Sequence, residues 1–377
     1  MALQAKSGNP PSNSISAAQI ISEFGPNHPI SGNSSGNQFS IGKYRFVGAS
    51  QSNYPQQIGG LNFASIDGSP NTGTGQIPTG NNIIKFSDFY GTRLQTVVNF
   101  WSSGAGGFRL VGKSRYNNNG MIGVHNEVAV VGGFRDRPSN TGGTRVHIHV
   151  NQQIGSERFD QDHCALRTGT WNSGTTLQVD LGSSAVVAGA GGFGGNGGNA
   201  PNIGSDGGAG TSGLGVQHNG TTVNIVSGAI LSAGFGGGGG GGGAFDYDRK
   251  SARWGSGGGG GGGAGLPLGL GGQGGNAGNN EDVEGGAGSA ATSLTEAGEG
   301  GNGGNNAGEA VGAGGGEGGA AGEAGNNGGT GTGGEGSSSR GGFGGSTGAA
   351  MRRTAGINVS INNLGTIYGD TNATTVQ

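Results

Sequence analysis

Few stretches of this chain have residue types and spacing suited to chemistry, and each needs a particular element to position it. GFRLVGKS at 107–114 fits the GxxxxGK[ST] phosphate loop letter for letter. That loop works only after a strand and at a helix N-terminus, where amides and the helix dipole hold phosphate. Arg115-Tyr116-Asn117-Asn118-Asn119-Gly120 follows, which starts no helix. In a chain this rich in glycine the match is cheap, and GxGxxG matches are worthless for the same reason. His147 and His149 alternate on a strand-like run and share a face, with His163-Cys164 further on. No carboxylate or third ligand is spaced to complete a metal site, so the histidines read as outward polar positions. Cys164 beside His163 is no nucleophile pair, because neighbours on a strand point to opposite faces. Asp160 and Asp162 read as a solvated turn. The expectation is no catalytic residue, no metal and no cofactor.

Composition explains why so little chemistry is present. Of 377 residues, 97 are glycine, several times the usual share of about 7 %. Ten prolines and no sustained G-X-Y register exclude collagen. A net charge of −3 argues against disorder driven by charge. The single cysteine excludes an internal disulfide framework. The N-terminal MALQAKSGNPPSNS shows no apolar h-region, so no signal peptide is expected, and no apolar run approaches a membrane span. No basic stripe tracks a nucleic-acid backbone.

Glycine is concentrated in 189–349, which holds 67 of the 97 together with a net charge of −8. The chain therefore divides into 1–94, 95–188 and 189–377. The first part is rich in Ser, Asn, Gly and Pro. It carries three short apolar-aromatic phrases: Ile15–Gly25, Phe39–Arg45 and Ile84–Gly91. Ile15–Phe24 suits one short helix capped by Ser14 or Ser16. Such phrases bury little by themselves and need something larger to dock on. The middle part reads as β, with Gln95–Trp101, Phe108–Val111, Glu127–Val131, Thr144–Val150, Leu177–Leu181 and Ala185–Ala188 separated by Gly/Asn/Ser clusters. A small antiparallel sandwich or barrel is the expected form.

The glycine-rich part contains strand-like phrases that a linker does not need, at 222–226 with 229–231 and at 357–361 with 365–368. Its purest runs, Gly236–Gly243 and Gly257–Gly263, flank one aromatic, charged insertion. Elsewhere the other residues fall three apart, as in Glu296, Glu299, Asn302 and Asn305. Three is the repeat of a threefold extended helix, with a rise of about 3.1 Å per residue. Bare glycine faces let such helices approach and exchange backbone hydrogen bonds, offsetting glycine's large entropy loss. About ten such helices of roughly 8–12 residues fit the block at that rise. The fold expected is mostly β plus a polyglycine-II sandwich, pure runs inside and Glu/Asn stripes facing water. Loops then lie at the ends of the rods. Phe245, Tyr247, Arg249, Arg253 and Trp254 have the chemistry of a binding loop. Leu266, Leu268 and Leu270 form an apolar loop with no core to join. Glu281–Glu284 and Ser289–Thr295 are further loop candidates.

The GGNGGN and GGGGGGGG runs, punctuated by aromatic loops, resemble the distal tail-fibre adhesins of T-even-type bacteriophages. ISAAQIISEFG and IKFSDFYGTR are similar to motifs recurrent in structural proteins of tailed phages, including cyanophages. The resemblance implies a non-enzymatic receptor-binding protein at a virion's tail-fibre tip. It also implies a host surface protein or glycan bound by the loops named above, and a tail or fibre protein bound by 1–94. The oligomeric state is open between a homotrimer and one copy on a trimeric fibre. Two rival readings are a glycine-rich cell-surface structural protein and a polysaccharide-degrading tail spike. The first predicts a secretion element and a more uniform repeat. The second predicts paired carboxylates in a groove, for which only Asp246 and Asp248 are available.

Overall fold

In the computed structural model the residues described are 14–19, 61–62, 83, 85–86, 95–101, 110–111, 122–123, 145–151, 153–156, 161–169, 173–248, 251–276, 283–306, 309–334 and 336–376. Near the N-terminus, 17–19 form one short helical turn. Ser16 caps it: its Oγ accepts from the Gln19 N–H (3.2 Å), and Gln19 Oε1 accepts from the Ser16 N–H (2.8 Å). That is the reciprocal capping box. The rest of Ile15–Gly25, the Phe39–Arg45 phrase and most of Ile84–Gly91 lie outside the described residues.

Everything else with regular pairing is β. Strand β1 (Leu61–Asn62) pairs antiparallel with β2 (Gln95–Trp101). From β2 onward the chain circles through three sheets, placing one strand in each per circuit. The first circuit is β2, β3 (Leu110–Val111) and β4 (Ile122–Gly123). The second is β5 (Arg145–Asn151), β6 (Gln153–Gly155) and β7 (Cys164–Arg167). The third is β8 (Thr176–Leu181), β9 (Val186–Ala188) and β10 (Ser212–Val216). The fourth begins with β11 (Thr221–Ile225) and β12 (Ile230–Ser232). Six short strands then lie within the glycine-rich region: β13 (Ala244–Asp248), β14 (Ser251–Gly255), β15 (Asn305–Asn306), β16 (Ala310–Val311), β17 (Thr332–Gly333) and β18 (Ser337–Ser338). The fourth circuit closes with β19 (Met351–Arg353). The fifth is β20 (Val359–Asn363), β21 (Thr366–Tyr368) and β22 (Ala373–Thr374).

The sheets run β1-β2-β5-β8-β11-β20, β3-β6-β9-β12-β21 and β4-β7-β10-β19-β22, and every pairing after β1 is parallel. This is a three-sided parallel β-solenoid. The mostly-β expectation holds, but the antiparallel pairing expected for 95–188 does not form. Two-residue turns join antiparallel neighbours, whereas parallel neighbours need a crossover. Here each crossover is the detour through the other two sheets.

The inward side chains stack in register. Ile148, Val179, Val223 and Ile361 form one ladder, Ile154, Val187, Leu231 and Ile367 a second, and Leu166, Leu214 and Met351 a third. Together they make the main core. Each fully buried aliphatic side chain adds roughly 1.5–3 kcal/mol. The strand phrases embedded in the glycine-rich part are β11, β12, β20 and β21, so they extend the same ladders. Outside the first sheet, Asn224 Nδ2 donates to Asp180 Oδ1 (2.6 Å) and Asn362 Nδ2 to Asn224 Oδ1 (2.8 Å).

The glycine-rich sequence enters as two insertions at one corner: 189–211 between β9 and β10, and 233–350 between β12 and β19. Because β9 pairs with β12 and β10 with β19, both insertions leave and return side by side. They contribute ten extended runs without strand assignment: 189–198, 203–211, 233–243, 256–264, 269–276, 284–291, 296–304, 312–320, 323–331 and 339–349. Their hydrogen bonds repeat every third residue. Gly192, Gly195 and Gly198 donate to Phe235, Gly238 and Gly241; Phe235, Gly238 and Gly241 donate in turn to Ala264, Gly261 and Gly258. Run 233–243 exchanges bonds with six neighbouring runs, and so does 256–264. These contain the two purest glycine runs, and both are buried throughout. The Glu296, Glu299, Asn302 and Asn305 stripe faces water.

The margin of the lattice is closed by side chains. Asn196 Oδ1 accepts from the Gln273 N–H (2.9 Å), Asp206 Oδ1 from the Phe343 N–H (2.7 Å) and Asn327 Oδ1 from the Gly344 N–H (2.9 Å). A backbone N–H at the edge has no further run to bond, and a short side-chain acceptor takes that place.

Candidate functional site

Successive runs reverse direction, so their connections alternate between two ends of the lattice. At the near end, turns 264–268, 292–295 and 320–323 meet the solenoid. Leu266 packs with Val186 and Ala188, against Ile230 and Leu294. Ala264 and Phe235 pack against Ala321 and Tyr368. At the far end lie 199–202, the β13–β14 hairpin, 305–311 and 332–338.

The hairpin organises the far end. Phe245 stands opposite Trp254, Asp246 opposite Arg253 and Tyr247 opposite Ala252. Alternation puts Phe245, Tyr247 and Trp254 on one face, with Asp246 and Arg253 on the other. The rings of Phe245 and Trp254 lie 4.3 Å apart at 42°, and those of Phe245 and Tyr247 6.4 Å apart at 47°. Tyr247 is 62 % exposed, while Phe245 and Trp254 are half-buried beneath it. Strand β18 flanks the hairpin, pairing Ser337 with Phe245 and Ser338 with Ala244. Beside it, β15, β16 and β17 form a second small sheet. Arg253 Nη1 reaches Glu309 Oε2 at 2.8 Å and ties the two sheets. Both groups are solvated, so the bond adds at most about 1 kcal/mol. Arg249 and Lys250, between β13 and β14 in sequence, lie outside the described residues. The structure therefore gathers Phe245, Tyr247, Arg253 and Trp254 into one surface.

It does not add the leucine loop to that surface. Leu266 is buried and held by backbone bonds, donating to the Gly189 carbonyl (2.7 Å) and accepting from the Ser156 N–H (3.2 Å). This corrects the expectation of a loop with no core to join: the outer face of β9 and β12 is that core. Leu268 is half-buried, and Leu270 is exposed on an outer run. Phe343, 52 % exposed with the Arg340 guanidinium 4.9 Å from its ring centroid, was not singled out by sequence. Only the threefold stripe could have indicated its exposure.

The remaining motifs are placed as follows. Leu110 and Val111, inside GFRLVGKS, form β3 and pair in parallel with Ile154 and Gly155, so a strand occupies the heart of the motif. Asp246 is buried, and its Oδ1 accepts from the Tyr247 N–H (2.9 Å). Among the described residues, no group of three or more His, Cys, Asp or Glu is placed to hold a metal ion. No described helix is long and apolar enough to cross a membrane.

Cys164 is fully buried in β7, with its Sγ donating to the Asp162 carbonyl at 3.6 Å. Burial pushes its thiol from 9.0 to about 12, against the opposing pull of Arg352 and Arg167. The thiolate is the reactive form. The folded chain should therefore resist iodoacetamide at pH 8.5, and the denatured chain should take up one carbamidomethyl group, as read by intact mass. Rapid labelling of the folded chain would contradict this placement.

The described residues thus define a parallel β-solenoid bearing a hydrogen-bonded glycine lattice and an aromatic hairpin at its far end. No family model matches the sequence, and no curated protein matches it. Among solved structures, it is similar to a chain of the gp37–gp38 adhesin tip complex of the bacteriophage S16 long tail fibre. The identity is 20 %, over 78 % of this chain and 90 % of that one, with a TM-score of 0.36.

Proposed function

We propose that this chain is a receptor-binding adhesin at the tip of a phage tail fibre, with its glycine runs acting as polyglycine-II helices. Residues 1–94 attach it to a tail or fibre protein, and the far end of 189–377 meets a host surface protein or glycan. The observation that carries this reading is the hairpin. Tyr247 is presented to solvent above a packed Phe245–Trp254 pair, on a base whose backbone is bonded on all sides. An aromatic anchor on a rigid mount loses little entropy on binding. Arg253, and Arg249 between the two strands in sequence, supply planar donors for carboxylate, phosphate or carbonyl groups. No part of this role requires catalysis.

Tyr247→Ala and Trp254→Ala should each weaken adsorption of particles to host cells by about 2 kcal/mol, roughly thirtyfold. Tyr247→Ala should leave thermal melting of the isolated protein unchanged, because the ring is exposed. Trp254→Ala removes the ring stacked on Phe245 and should lower hairpin stability by about 0.5–1.5 kcal/mol as well. Unchanged adsorption in both variants would move the receptor site away from the hairpin.

A further inference from the structure

Beside the hairpin, run 189–198, the turn after it and run 269–276 enclose an open groove of about 470 Å³. Asn196, Asn199, Asn202, Gln273 and Asn276 line it together with Ile203, and among the described residues no charged side chain does. Two of these carboxamides are fixed by the lattice margin. Asn196 Oδ1 accepts from the Gln273 N–H at 2.9 Å, and Asn199 Oδ1 from the Asn276 N–H at 2.5 Å. Each is thus held in one orientation with its Nδ2 donor still to be used. Among the described residues, the side chains of Asn202, Gln273 and Asn276 make no hydrogen bond.

Five amides in one groove offer both donors and acceptors. A ligand that complements them must donate and accept from closely spaced groups while bringing no charge. Among the described lining residues there is no charge to pair with a charged ligand. The apolar element is also present: Ile203 is 57 % exposed beside the amides. Phe193, one lattice repeat before Asn196, is 44 % exposed. A sugar ring has this combination, with hydroxyls that donate and accept around an apolar C–H face. We propose that the groove is a binding site for a neutral saccharide, distinct from the hairpin surface. Orienting Asn196 and Asn199 through the lattice reduces the ordering required on binding.

The test uses the full chain on an array of neutral hexose, deoxyhexose and N-acetylhexosamine oligosaccharides printed beside sialylated and sulfated ones. Neutral members should bind. For the strongest of them in solution, Gln273→Ala and Asn202→Ala should each lower affinity about tenfold by calorimetry. Melting temperature should not change, since neither side chain bonds any described residue. Tyr247→Ala should leave this affinity intact. The proposal is overturned if no neutral saccharide binds at up to roughly 10 mM, or if only charged ones bind. Full affinity in a variant carrying Gln273→Ala and Asn202→Ala together, or loss of binding in Tyr247→Ala, overturns it as well.

Discussion

Gly239→Val and Gly260→Val should each collapse the glycine-rich region, whereas Asn302→Val should leave it folded. A side chain at Gly239 would put its Cβ on the carbonyl oxygen of Gly342, and one at Gly260 on the carbonyl oxygen of Gly238. Neither oxygen belongs to a flexible group that can swing away. The carbonyls of the Gly342 run accept from runs 203–211 and 323–331, and the amides of the Gly238 run donate to those same runs, so any shift propagates through the lattice. Overpacking by a branched side chain costs about 1–3 kcal/mol even in cores that adjust. Here the loss should be about 3 kcal/mol or more, because the hydrogen bonds of several runs break together. Asn302 is exposed on an outer run and its side chain faces water. Its replacement should change stability by about 0.5 kcal/mol or less. Calorimetric melting of the three variants decides the matter, and equal sensitivity at all three positions would contradict a bonded lattice.

Removing 1–94 should abolish incorporation into particles and leave binding to host cells intact. The truncation ends just before β2, so it takes only β1 from the solenoid and nothing from the lattice. The five circuits with their three apolar ladders remain, and so does the hairpin. The deleted part holds the three apolar-aromatic phrases; of their described residues Ile15 is buried and Phe86 is 42 % exposed, and Ile83 beside the third phrase is 78 % exposed. Apolar groups held at a surface are suited to a partner rather than to the chain's own core. Virions assembled with the truncated chain should lack it by immunoblot, while the purified truncated protein should compete with wild-type particles for host cells. Incorporation at the wild-type level would refute the attachment role. Loss of competition would mean that 1–94 also shapes the receptor surface.

Much of the local structure was legible from residue type and spacing. Ser16, one of the two caps its residue type offers, does cap the helical turn, while the reciprocal bond from Gln19 came only with the structure. Gln95–Trp101 is a strand with those bounds, and the phrases at 222–226 and 357–361 are strands despite their glycine surroundings. Burial of the two pure glycine runs also followed from sequence, since only residues without Cβ allow six neighbours to approach. The asparagines of GGN repeats were read as a water-facing stripe. Their further role, accepting the edge amides of an adjacent run, was hidden because that run lies as far as 77 residues away in sequence.

What the sequence determined by itself was therefore the inside and outside of each element. Alternation marks the buried face of a strand, and the period of three marks the exposed stripe of a glycine run. What only the tertiary structure decided was direction and place. Val179 faces inward equally well beside a parallel or an antiparallel neighbour, so alternation does not select the solenoid over a sandwich. Leu266 and Tyr247 both interrupt glycine with apolar groups, yet one is buried against β9 and β12 and the other is presented to solvent. Which end a turn occupies depends on the number of chain reversals before it and on where the solenoid anchors the first run. Those are properties of the whole path of the chain, and no local pattern of residues encodes them.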